Sequence, residues 1–95
     1  MTNQAAANQE RTLQIRNKFG LHARPAAEFV KLASKFQSEV WVRKQELEVN
    51  GKSIMGMMML AAEFGSEITI RACGDDAQQA VEELVALVNG GFGEH

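Results

Sequence analysis

The sequence predicts an α+β sandwich, a four-stranded, mostly antiparallel sheet covered on one face by three helices in the order βαββαβα. Three observations lead there. Short stretches alternate apolar and polar residues, longer ones repeat their apolar residues three and four apart, and Pro25 stands where one of those longer stretches begins.

Leu13 and Ile15 alternate with polar neighbours and mark the first strand. Ala26, Phe29, Val30, Ala33 and Phe36 then form one helical stripe. Pro25 is tolerated only in a first helical turn, where the amide it lacks would have no intrahelical partner, so the helix starts near His22 and Ala23. Val40 and Val42, then Leu47 and Val49, mark a hairpin around Lys44, Gln45 and Glu46 that lacks the usual Asn-Gly turn. A short apolar segment from Ile54 to about Ala62 follows, with Ser53 at its N-cap and Met57, Leu60 and Ala61 facing the core. Ile68, Ile70 and Ala72 make the fourth strand. Asp75 and Asp76 cap a last helix in which Ala77, Ala80, Val81, Leu84, Val85 and Val88 share a face.

Ninety-five residues make one domain with a single modest core. Residues 1–10 and the glycine-rich 90–95 read as loose tails that flank a folded unit at 11–89. A net charge of −2 speaks against a protein whose main task is to grip nucleic acid. The lone Cys73 cannot form an internal disulfide and reads as a small buried or half-buried hydrophobe. With no secretory leader and no apolar run near the ~20 residues that span a bilayer, a cytoplasmic protein is expected, without membrane insertion. His22 and His95 lie far apart in the chain and Cys73 has no spaced partner, so neither a metal nor a cofactor is expected.

The chemistry gathers in two places. In Gly20-Leu21-His22-Ala23-Arg24-Pro25-Ala26 an imidazole and a guanidinium flank a helix start. Free amides of the first turn, the positive end of the helix dipole and Arg24 suit an anion held on the ring. A neutral imidazole there has a lone pair with which to attack phosphorus. The second place is Ser53 with the methionine-rich segment behind it. If Met57 and Leu60 face the core, Ile54, Met55 and Met58 form an exposed, adaptable apolar patch. A phosphate on Ser53 would suit the helix end and change docking at that patch. Lys31 and Lys35 add a local basic strip beside Arg24. The rival reading is a small RNA-binding or protein-interaction domain without phosphotransfer. An RNA-recognition sheet needs stacking aromatics on its strands, and only Trp41 qualifies.

With both motifs in view, the chain resembles the HPr family, the histidine-containing phosphocarrier proteins of the bacterial phosphoenolpyruvate-dependent phosphotransferase system. Residues 20–26 look like the family's active-centre motif, and Lys52-Ser53-Ile54-Met55-Gly56 looks like its regulatory serine motif. The resemblance implies an α+β, HPr-like open-faced β-sandwich and a carrier instead of an enzyme. It implies that His22 accepts a phosphoryl group on Nδ1 from phosphorylated enzyme I and passes it to a IIA domain or protein. Ala23 and Arg24 at the helix start would contact the phosphate, and Arg24 would stabilise it. Ser53 would match the site of HPr kinase, and Ile54, Met55 and Met58, with Ala27 and Lys31, the docking surface of a monomer. Phe19, just before Gly20, is a residue type more typical of the nitrogen-branch relative NPr than of sugar-branch members, so the branch stays open.

Overall fold

The computed structural model describes residues 8–94. Strand β1 runs Asn8–Gln14, helix α1 Ala23–Ala33, β2 Glu39–Lys44, β3 Leu47–Asn50, α2 Ile54–Met59, β4 Glu67–Cys73 and α3 Ala77–Asn89, followed by a 3-10 turn at Gly91–Gly93. The strands form one sheet in the order β1-β4-β2-β3, with every neighbouring pair antiparallel. The expected βαββαβα order is therefore present, and the helices share one face of the sheet.

The period-2 pattern explains that sidedness. Val40 and Val42 of β2 and Ile68, Ile70 and Ala72 of β4 are buried towards the helices, where they meet Phe29 of α1, Met57 of α2 and Leu84 of α3. The alternate residues make the open face. There Arg71 lies over the Trp41 ring, 5.8 Å from its centroid, and reaches Glu48 at 3.3 Å. Thr12 and Thr69 bridge β1 and β4 through their hydroxyls at 2.9 Å.

Several expectations are corrected. Asn8, Gln9 and Glu10 pair with Cys73, Ala72 and Arg71, so the sheet reaches three residues into the segment read as a tail; residues 1–7 lie outside the described residues. Helix α1 ends at Ala33, and Phe36 enters the core from the following turn. Helix α2 stops at Met59 because Ala61 adopts a left-handed φ of 49°; Ala61 is exposed and Ala62 is buried in its place. Leu47 keeps the correct parity but sits at the hairpin tip, half uncovered. Cys73 is exposed, because its odd position in β4 turns it to the open face.

Asp76 is the N-cap residue of α3, but its carboxylate does not cap that helix. It accepts hydrogen bonds from the Gln37 and Ser38 amides, each at 2.9 Å, and from the Ser38 hydroxyl, tying the entry of β2 to the start of α3. The Ser38 hydroxyl and then the Gln37 amide hold its carboxyl below the ordinary 3.8.

Candidate functional site

His22 sits at the N-cap of α1 in extended backbone, and its carbonyl accepts the first helical bond from the Ala26 amide at 3.0 Å. Pro25 falls at the third helical position and has no N–H, as its place in the sequence predicts. No side chain caps this end. The Ala23 and Arg24 amides precede the first intrahelical donor, so they lack helical partners and the positive pole of the helix points out beside the imidazole.

The loop before the helix is held by backbone. Leu21 donates to the Ala62 carbonyl and His22 to the Gly20 carbonyl, both at 2.9 Å. Gly20 has φ +69°, and a Cβ at this position would run into the Ala62 carbonyl, so only glycine brings His22 this close to the 61–63 segment. Phe19, 70% exposed, meets the His22 ring edge to face with centroids 6.3 Å apart.

The reading of 90–95 as a loose tail is corrected for residues 90–94, which fold into the site. Gly91, Phe92 and Gly93 all take left-handed φ values, and together they turn the chain back after α3. Phe92 is buried in the core. Glu94 is thereby brought against His22: its Oε2 lies 3.0 Å from the ring Nε2 and 2.9 Å from an Arg24 guanidinium nitrogen. Arg24 Nε also donates to Oε2 at 3.2 Å, and Arg24 Nη2 donates to the Phe92 carbonyl at 3.1 Å.

Asn17 completes the cluster from below. Its Nδ2 donates to the Gly20 carbonyl at 2.7 Å and to Glu94 Oε1 at 2.9 Å. Two acceptors fix the amide orientation, and the consequence is a buried Oδ1 without a hydrogen-bond partner. The Asn17 bond is the main influence holding the Glu94 carboxyl below its ordinary range; burial opposes it, and the hydrogen bond and charge of Arg24 add to it. Asn17, Phe92 and Glu94 were not singled out in the sequence. Phe92, a large apolar residue amid three glycines, was the one signal that the C-terminal segment packs.

The second motif lies on α2. Ser53 is its N-cap, and the side-chain oxygen accepts from the Gly56 amide at 3.0 Å, as expected of a capping serine. Met57 is fully buried, whereas Ile54, Met55 and Met58 are 45%, 72% and 43% exposed. Helices α1 and α2 pack against each other, so this patch neighbours the helix that carries half-buried Ala27 and exposed Lys31. His95 lies outside the described residues. Among the described residues no group of three His, Cys, Asp or Glu side chains could hold a metal, and no helix is long and apolar enough to cross a membrane.

Comparison with known proteins agrees with this arrangement. Residues 9–90 match the family model described as the PTS HPr component phosphorylation site. The phosphocarrier protein HPr of Neisseria meningitidis serogroup A is 51% identical over 85 residues, covering 90% of this chain and 96% of that protein. The phosphocarrier protein NPr of Proteus mirabilis is 41% identical over 87 residues, covering 90% and 97%. Among solved structures, HPr-C-His from Thermoanaerobacter tengcongensis superposes with a TM-score of 0.88 at 50% identity, covering 92% of this chain and 98% of that one.

Proposed function

Since this chain belongs to the HPr family of phosphotransferase-system phosphocarriers, we propose that His22 is the residue on which it carries the phosphoryl group. The observation that carries the reading is the N-cap position of His22 on a helix end that no side chain caps, with Arg24 alongside. Ring attack on phosphorus needs a lone pair on one nitrogen and positive groups around the transferring oxygens. The Ala23 and Arg24 amides and the Arg24 guanidinium supply the second requirement, and Nδ1 supplies the first. Arg24 must then exchange Glu94 for the phosphoryl oxygens, a swap of one oxyanion for another.

The donor is enzyme I in its phosphorylated form and the acceptor a IIA domain or protein, in the cytoplasm, with this chain acting as a monomer. Ile54, Met55 and Met58, with Ala27 and Lys31, form the surface that both partners meet. Exposed apolar side chains beside a lysine suit partners that present an apolar patch rimmed by carboxylates. Ser53 is a site of regulatory phosphorylation for HPr kinase where the host has that enzyme. A dianion on this cap leaves the helix end intact and repels those carboxylates. The RNA-binding alternative is not favoured: Trp41 of the open face is already covered by Arg71.

The test is a two-step transfer. The protein is incubated with phosphoenolpyruvate and catalytic enzyme I, weighed intact at neutral pH, and then mixed with a IIA protein. One added phosphate that moves on to the IIA partner, with His22→Ala folded but unlabelled, is the expected result. An His22→Ala variant that still acquires and passes on phosphate would refute the assignment.

A further inference from the structure

The acceptor nitrogen of an imidazole must be free of its proton, and the structure contains a group that decides which nitrogen that is. An ionised carboxylate has lone pairs and no proton, so a ring nitrogen in contact with it has to be the donor. Both His22 contacts with Glu94, at 3.0 and 3.3 Å, are made by Nε2. Glu94 is in turn fixed on its other oxygen by the buried Asn17 amide, and the left-handed turn at Gly91–Gly93 delivers it there. Its side chain is 17% exposed, far less than the 43% of His22, so the carboxylate is the more buried partner of the pair and the ring the more exposed one.

We propose that Glu94 is a positioning residue for phosphoryl acceptance: it holds the His22 ring as the Nε2–H tautomer, in one orientation, with the Nδ1 lone pair free. This rests on His22 being the acceptor. In the step itself the Nδ1 lone pair forms the new bond to phosphorus while the bond from phosphorus to the donor's leaving atom breaks, that atom keeping the electron pair. The Nε2 proton stays in place, so no general base is required. Positive charge grows on the ring as the N–P bond forms, and the Glu94 carboxylate opposite Nε2 is placed to stabilise it. Arg24, which shares Oε2 with the ring, turns to the phosphoryl oxygens, and the Asn17 bond keeps Glu94 from following it. The unpaired Oδ1 of Asn17 follows from the same geometry, because its Nδ2 is required by both Gly20 and Glu94.

Glu94 also occupies Arg24, so Glu94→Ala alone would mix two effects, and the experiment separates them. Ring nitrogen and proton resonances of 15N-histidine-labelled protein are recorded for wild type, Arg24→Ala, Glu94→Ala and the double variant. The expected result is an Nε2–H protected from exchange in wild type and in Arg24→Ala, and lost wherever Glu94 is replaced. Phosphoryl acceptance from enzyme I should be about tenfold slower in the double variant than in Arg24→Ala. Equal rates in those two proteins, or a ring whose proton is unaffected by Glu94→Ala, would overturn the role of Glu94. A wild-type protein that accepts no phosphate at all would instead remove the acceptor reading, and this role with it.

Discussion

His22 and Ser53 each occupy an N-cap in extended backbone, yet their side chains treat the amides below them differently. The Ser53 oxygen turns inward and accepts from Gly56, so α2 closes its own end. The His22 ring turns outward to Glu94, and α1 keeps its first amides open. Reach does not decide this, since Nδ1 of an imidazole sits where Asp and Asn, both good caps, carry an oxygen; the difference is that the His22 ring is engaged by Glu94. The comparison teaches that a helix start keeps its first amides free of a side-chain cap when its cap residue is committed elsewhere. Asp76 at the start of α3 is a third case, since its carboxylate is committed to Gln37 and Ser38. There, however, the first amide of the helix, that of Ala77, already donates to the Gly74 carbonyl at 3.2 Å.

The difference between the first two ends can be broken most severely at Arg24. Arg24→Ala leaves the open amides but removes the charge beside them, and phosphoryl transfer should slow by on the order of a hundredfold in both directions. Forward and reverse rapid-quench rates check this; unchanged rates would make Arg24 a partner of Glu94 alone. The patch on α2 comes next. Met55→Ala combined with Met58→Ala should weaken enzyme I binding by about tenfold with little change in melting temperature, because both side chains are largely exposed. Calorimetry that finds unchanged affinity and a lowered melting temperature would return these methionines to the core.

Ser53 sharpens the comparison from the other side. Ser53→Ala should cost about 1 kcal/mol of stability, as loss of a cap does, with phosphoryl acceptance unaffected. Ser53→Asp should keep the wild-type melting temperature, since a carboxylate also caps, yet accept phosphate more slowly, with the deficit shrinking as salt rises. Rates equal to wild type at low and high salt would leave Ser53 as a cap only. The smallest effect belongs to Asp76. Its carboxyl titrates below the ordinary 3.8 in the folded chain, so its contribution is present above that pH and fades as pH falls through the lowered value. Asp76→Ala should therefore flatten part of the acid limb of a melting-temperature profile and leave the neutral region merely lowered.

Much of this was legible in the sequence because it depended on local spacing. Pro25 placed the start of α1 near His22 and Ala23, Ser53 announced its own cap, and the alternation in β2 and β4 gave the buried face of the sheet. What stayed hidden depended on contacts distant in the chain. Glycines at 90, 91 and 93 signal freedom, and only the packing of Phe92 converts that freedom into a turn aimed at His22. Asn17 is one polar residue in a polar loop until Glu94, 77 positions later, gives its amide a purpose. Asp76 has the residue type and position of a cap, and the nearness of Ser38 redirects it. Cys73 reads as buried or half-buried by residue type, and its place at the end of β4 on the open face exposes it.

The central claim is that the open helix end carries the phosphoryl group and the self-capped one does not take it from enzyme I. The direct measurement is site mapping of the protein phosphorylated by enzyme I and phosphoenolpyruvate, using fragmentation mass spectrometry at neutral to alkaline pH, with 31P NMR of the intact phosphoprotein to assign the nitrogen. A single acid-labile phosphate on Nδ1 of His22 is the predicted result. An acid-stable phosphate on Ser53, or a phosphate on Nε2, the nitrogen that faces Glu94, would contradict it.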